Sequence, residues 1–166
     1  MKKIKLGMIG GGIGAFIGDA HRRAARLSND FELIGGVFDA NYERGKEFAA
    51  KEGISLDRCY ENVDTMIKSE KARPEGERIE AVSIVTPNYL HYLFASLLLK
   101  NGFHVMCEKP MTMTVEEAIE LDRLVKETGL TFALTHTYTG YPMVRQMREM
   151  IKSGALGDIQ RIDAQY

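Results

Sequence analysis

Two groups of residues in this sequence have the types and spacing to do chemistry. Glu108-Lys109-Pro110 sets a carboxylate, an ammonium and a proline directly behind a short apolar run, 103–107. Gly10, Gly11, Gly12 and Gly14 stand in the same position behind the first apolar run, 4–9. A glycine-rich turn that opens a helix offers free backbone N–H groups to phosphate. An ammonium held at a neighbouring strand end can stabilise a developing alkoxide and help steer its proton. In this order on one chain, the two groups point to a nicotinamide dinucleotide lying across strand ends, with Lys109 near its reactive ring.

The turn Gly10-Gly11-Gly12-Ile13-Gly14-Ala15 fits G-x-G-x-x-G/A. On that pattern Gly10 permits the tight turn, Gly12 leaves the pyrophosphate unobstructed, and Ala15 is small enough for helix and sheet to pack. Asp39 closes the second apolar run roughly twenty residues on, where a carboxylate can accept from ribose hydroxyls. The plainer alternative is a tight turn without ligand, with Asp39 as the N-cap of the next helix. A carboxylate at 39 repels a 2′-phosphate and so favours NAD. Arg44 nearby softens that preference and keeps NADP as the alternative.

These groups must be positioned by alternating elements. Segments 3–9, 31–38, 79–85, 103–107 and 130–135 read as strands. The last three are counted fourth, fifth and sixth, leaving an unassigned strand between 38 and 79. Residues 14–27, 42–51, 62–70, 86–100 and 114–128 read as helices. Phe48, Ala49 and Ala50 form the inner side of the second helix. Pro87 sits near the start of the fourth, and Thr114 to Glu117 forms a capping box. The β-branched run 79–85 suits a strand buried on both faces. Strands alternating with helices predict a parallel, doubly wound α/β sheet of the Rossmann type. Residues 141–153 read as one more amphipathic helix, and 159–166 as an amphipathic strand with no partner in the chain. The domain reading is therefore 1–136 for the dinucleotide-binding domain. Residues 137–166 are read as a linker helix and the first strand of a mostly absent α+β substrate domain.

With the glycine turn, Thr86-Pro87-Asn88 and His91 after the fourth strand, and Glu108-Lys109-Pro110 after the fifth, the sequence resembles the glucose–fructose oxidoreductase/inositol dehydrogenase family (Gfo/Idh/MocA). The string 14–18 followed by His21-Arg22 is similar to one branch of it. The resemblance covers essentially the whole chain, and Glu108-Lys109-Pro110 is its most specific element. It implies a nicotinamide-dependent oxidoreductase acting on a secondary alcohol of a sugar or cyclitol. Lys109 inherits the role beside nicotinamide and substrate hydroxyl. Glu108 orients Lys109 or contacts the cofactor, and Lys109–Pro110 is a candidate cis bond. Gly10, Gly12, Ile13, Gly14, Ala15, Asp39, Thr86, Pro87, Asn88, His91, Glu108 and Lys109 would line the cofactor. Family members carry a second domain that supplies most of the substrate pocket and an acid/base histidine, and they associate through its sheet as homo-oligomers. No Asp-x-x-x-His segment occurs here. A stand-alone module that binds NAD(H) without catalysis is the alternative function.

Composition removes other classes. Net charge is −1 over 166 residues, with no basic block for nucleic acid. No run is long and apolar enough for a membrane span. The first apolar run breaks at Gly7 and Gly10, against a signal peptide. Cys59 and Cys107 fit a reducing cytoplasm better than a disulfide framework, and with no CxxC or HExxH companion they predict no metal site. No G-x-S-x-G supports a serine triad. His104 reads as structural and His136 as a candidate for the cleft. Met143, Met147 and Met150 have helical spacing and read as a packing face, and Tyr138 and Tyr141 sit at the domain junction, where substrate contact and hinge packing are the two alternatives.

Overall fold

The computed structural model describes residues 2–165. Five parallel strands form one sheet, in the order β2-β1-β3-β4-β5. They are β1 (Ile4–Gly10), β2 (Phe31–Val37), β3 (Ala81–Val85), β4 (His104–Cys107) and β5 (Phe132–Leu134). The strand expected between β2 and β3 is not formed. In its place a single parallel bridge joins Gly36 to Cys59. The helices are α1 (Phe16–Ser28), α2 (Tyr42–Lys51), α3 (Val63–Ala72), α4 (His91–Lys100), α5 (Val115–Thr128) and α6 (Pro142–Lys152). The chain order reverses between β1 and β3, so loops leave the two strands in opposite directions and open a crevice above their C-terminal ends.

Successive strand residues face opposite sides, and the core divides accordingly. Ile9, Val82, Ile84 and Val105 join Met66 of α3, Leu98 of α4 and Leu121 of α5 in one cluster. Met8 and Val85 join Phe38, Phe48 and Ala49 in the other. Ala50 is exposed, although its neighbours Phe48 and Ala49 are buried. Helix starts follow their caps. Asn41 accepts from Arg44 N to open α2, and Asn62 accepts from Thr65 N to open α3. Thr114 and Glu117 form the expected capping box on α5. Among the boundaries that move, three have a visible cause. α1 begins at Phe16 instead of Gly14, whose φ of +81° is not helical. The residues Thr86 and Pro87 precede a short 3-10 turn, Asn88–Leu90, and α4 begins only at His91. Ile79 lies before β3, where its backbone N–H bonds the buried Glu70 carboxylate instead of a strand.

By contact density the chain divides into two units, Met1–Thr135 and His136–Tyr166. Within the second, a 3-10 turn (Thr137–Gly140) leads into α6. Tyr138 and Tyr141 meet edge to face, with ring centroids 5.5 Å apart. Met143, Met147 and Met150 are exposed. The strand expected over 159–166 is not formed across its described residues, 159–165. A lone strand leaves its N–H and C=O groups unpaired, and no neighbouring strand occurs among the described residues of the unit. Among the described residues no helix is long and apolar enough to cross a membrane.

Candidate functional site

The crevice at the β1/β3 reversal is a cleft of about 580 Å³. Its floor is the glycine turn after β1. Its walls are Asp39 and Ala40 after β2, Thr86 and Pro87 after β3, and the apolar side chains of Leu93 and Phe94 on α4. Gly10, Gly12, Ile13 and Ala15 all line it. Gly14 and Asn88 are exposed beside it.

The glycines act differently from the simple fingerprint. A Cβ on Gly12 would stand 2.5 Å from the Phe38 carbonyl oxygen, which already accepts from Gly12 N at 3.0 Å. Position 12 is therefore held small by the β2 end, not by the space above the turn. Ala15 is the N-cap of α1 and does not pack helix on sheet. The close approach is made by Gly18, against the turn itself: a Cβ there would overlap Gly11 Cα and lie 2.8 Å from Gly11 O. Sequence reasoning assigned no role to Gly18.

Ala15 cannot cap α1 with its side chain. The first-turn N–H groups are left without an intrahelical partner, and a phosphate would satisfy them. On the facing wall the buried Thr86 hydroxyl has no hydrogen-bond partner. Both features fit a dinucleotide, with its pyrophosphate at the head of α1.

Asp39 is not the N-cap of α2, since Asn41 fills that position. Its Oδ1 accepts from Asn41 N at 2.9 Å, and its Oδ2 lies 3.3 Å from Arg44 Nε. A carboxylate and a guanidinium thus share the rim where the adenosine ribose would lie.

His91 needs a correction. Expected to line the cofactor, it is fully buried. Its Nδ1 lies 2.7 Å from Pro110 O and its Nε2 3.0 Å from Thr86 O. The ring ties the loop after β3 to the turn after β4, and only the groups it holds reach the cleft. Within that turn the Lys109–Pro110 bond is cis. Lys109 is exposed, and Glu108 is buried with both carboxylate oxygens engaged inside the protein. Oε1 meets His21 Nε2 at 2.9 Å, and Oε2 accepts from Lys109 N at 3.2 Å. His21 Nδ1 in turn lies 2.8 Å from Ser83 Oγ. Ser83, His21 and Glu108 carry the residue types of a hydrolytic triad, but Ser83 is fully buried in mid-β3 and no acyl group can reach it.

Of the remaining histidines, His104 is bonded through its ring and His136 through its backbone. His104 Nδ1 accepts from Thr131 N beside β5, and the His136 carbonyl accepts from Thr139 N. Cys59 and Cys107 are free and buried, and burial pushes the Cys107 thiol up to about 12. No group of three or more metal-ligating side chains forms among the described residues.

A parallel sheet reversing at β1/β3, a glycine turn feeding an uncapped helix and an acidic residue after β2 define a dinucleotide-binding α/β domain. The chain belongs to the Gfo/Idh/MocA oxidoreductase family: residues 4–136 match its model, described as an oxidoreductase family with an NAD-binding Rossmann fold. It is 41% identical over 166 residues to an uncharacterized oxidoreductase, YfiI, of Bacillus subtilis, covering 99% of this chain and 42% of that protein. It is 31% identical over 150 residues to a UDP-N-acetylglucosamine 3-dehydrogenase of Acidithiobacillus ferrooxidans, covering 90% and 42%. Among solved structures, an Azotobacter vinelandii inositol dehydrogenase homolog complexed with NADH and myo-inositol superposes with a TM-score of 0.91 at 39% identity, covering 95% of this chain and 41% of that one. The chain thus spans about two-fifths of the length of these relatives.

Proposed function

We propose that this chain is the cofactor-binding portion of an NAD-dependent oxidoreductase acting on a secondary alcohol of a sugar or cyclitol. The observation that carries the reading is the uncapped α1 N-terminus facing the orphan Thr86 hydroxyl across a cleft at the β1/β3 reversal. The names of the relatives support the substrate class: they include a D-glucoside 3-dehydrogenase and a scyllo-inositol 2-dehydrogenase.

In this reading the α1 N–H groups bind the pyrophosphate, with Gly10, Gly12, Ile13, Gly14 and Ala15 shaping the turn around it. Asp39 accepts from the adenosine ribose hydroxyls, which favours NAD. Arg44 is the residue through which a 2′-phosphate would be tolerated. Thr86, Pro87 and Asn88 form the wall toward the nicotinamide half. The bound nicotinamide supplies the hydride acceptor or donor. Lys109 holds its ammonium where the substrate oxygen gains charge, stabilises it and manages its proton. Glu108 acts from beneath, through the Lys109 backbone. Residues 137–166 serve as the linker helix and the entry to the substrate side. Free buried cysteines support a reducing, cytoplasmic setting.

Fluorescence titration of the chain with NADH and with NADPH tests the reading. Saturable binding, tighter for NADH and weakened by Asp39→Ala, is expected. Absence of binding by either nucleotide would refute it.

A further inference from the structure

One buried polar network is not accounted for by cofactor binding. It starts in the middle of the sheet at Ser83, crosses His21 on α1 and ends on the Glu108 carboxylate, whose other oxygen holds the Lys109 N–H. Ser83, His21 and Glu108 are all buried. Buried polar groups in a low-dielectric interior are costly unless every one is paired. Here the directions can be assigned consistently. The carboxylate only accepts, so His21 Nε2 donates to Oε1. Nδ1 then accepts from the Ser83 hydroxyl. Every group in the chain is satisfied with a neutral imidazole.

The network joins the two halves of the site. His21 belongs to α1, the helix that opens at the glycine turn. Glu108 immediately precedes Lys109. No backbone ladder connects α1 to the turn after β4, and β4 does not neighbour β1 in the sheet. We propose that His21 is a positioning residue for Lys109, acting through the Glu108 carboxylate. It fixes the carboxylate rotamer from which the Lys109 backbone hangs, and so sets the lysine relative to the cofactor helix. This rests on the reading of Lys109 as the residue that manages the substrate proton. Ser83 holds the ring in the tautomer that donates to Glu108.

The test is amide hydrogen exchange on the 166-residue chain, read residue by residue by NMR. Three variants are compared: His21→Gln, His21→Asn and His21→Leu. Glutamine can place an N–H near the Nε2 position and reach Glu108, whereas asparagine and leucine cannot. A hydrogen bond to a charged group supports roughly tenfold or greater protection. We therefore expect the Lys109 amide to lose about tenfold in protection in the Asn and Leu variants and to keep most of it in the Gln variant. The amides of Val82 and Ile84 in β3 should stay close to wild type in all three. NADH affinity, titrated on the same samples, should be unchanged within about twofold, because the network lies beneath the turn and not in the cleft. Unaltered Lys109 protection in the Asn and Leu variants overturns the proposal. So does an equal loss across the sheet, which would make His21 a general support of the fold. If the Leu variant does not fold, the Gln and Asn pair decides. If even the wild-type chain binds no NADH, the functional reading fails, while the exchange data still judge the tether.

Discussion

Replacing Gly18 by alanine sets helix propensity and packing directly against each other. Gly18 lies inside α1, where Gly→Ala ordinarily stabilises by about 0.5–1 kcal/mol. Its φ is not positive, so no backbone strain offsets that gain. The structure reverses the sign. The new Cβ would overlap Gly11 Cα and sit 2.8 Å from Gly11 O and 3.0 Å from Gly11 C. All three obstacles are backbone atoms, which cannot rotate away as a side-chain tip can. α1 must move off the turn, and overpacking of this kind costs about 1–3 kcal/mol. The same movement lengthens the bond from Arg22 Nη1 to Gly11 O, now 2.6 Å. A bond from a charged donor contributes about 1.5–3 kcal/mol, part of which is lost. Against a propensity gain of at most about 1 kcal/mol, the balance is a net loss of about 2 kcal/mol. For a chain of this size that lowers Tm by about 4–8 °C. Thermal unfolding with and without NADH is the assay. NADH should also bind more weakly, because the displaced turn no longer presents the α1 N–H groups. A Gly18→Ala chain as stable as wild type, or more so, would refute the claim that this contact sets the height of the turn.

Other perturbations separate the remaining parts of the site. Asp39→Ala should weaken NADH about tenfold, the value of a lost hydrogen bond to a charged group, and shift the NADH/NADPH ratio toward NADPH as Arg44 loses its partner, both read by fluorescence titration. His91→Leu removes the ring N–H that one of the Thr86 and Pro110 carbonyls accepts and should cost about 1–3 kcal/mol in urea unfolding. Burial penalises the thiolate and pushes the Cys107 thiol up to about 12 from its ordinary value of 9.0. Its contribution to stability is therefore full below pH 9.0 and is lost as pH rises toward about 12. The slope approaches about 1.4 kcal/mol per pH unit. Unfolding midpoints across that range should fall accordingly, and Cys107→Ser should flatten the decline.

The parts of this fold that obey a period were legible in the sequence. The five strands showed as apolar or β-branched runs, and the capping box from Thr114 to Glu117 showed as residue types at known offsets. The glycine turn and the Glu108-Lys109-Pro110 turn showed for the same reason: their residue types are unusual at strand ends. What escaped was set by through-space approach. Gly18 looks like an ordinary small residue until the Gly11 backbone is seen beneath it. Gly12 looks like a ligand-facing glycine until the Phe38 carbonyl is placed against it. His91 reads as a residue that lines the cofactor. Its two carbonyl partners lie in separate loops, and nothing in the sequence brings them together. The supernumerary strand came from counting the pattern of the fold and not the residues, since the stretch around Cys59 supplies only one bridge.

α1 explains why the site's coupling was the least visible part. Its buried positions are Gly18, His21, Arg22 and Ala25, spaced 3, 1 and 3 as one helical face requires. On an ordinary surface helix that face would be apolar and would dock by area alone. Here the large apolar residues Phe16 and Leu27 are exposed, and the inner face carries a histidine, an arginine and a glycine. Such a face gains little from non-directional burial and depends on exact partners. Gly18 meets Gly11 by contact, Arg22 holds the Gly11 carbonyl, and His21 reaches Ser83 and Glu108. An apolar face could slide by a fraction of an ångström at small cost, whereas Gly18 and Arg22 set the depth of the helix against the glycine turn and His21 ties the turn after β4 to it. That precision suits the proposed site, in which one end of the helix receives a pyrophosphate and its middle holds the strand end bearing Lys109. Exchanging His21 and Arg22 together for leucines would raise the helix's apolar content and lower the order of both turns, the opposite of what burial area alone predicts.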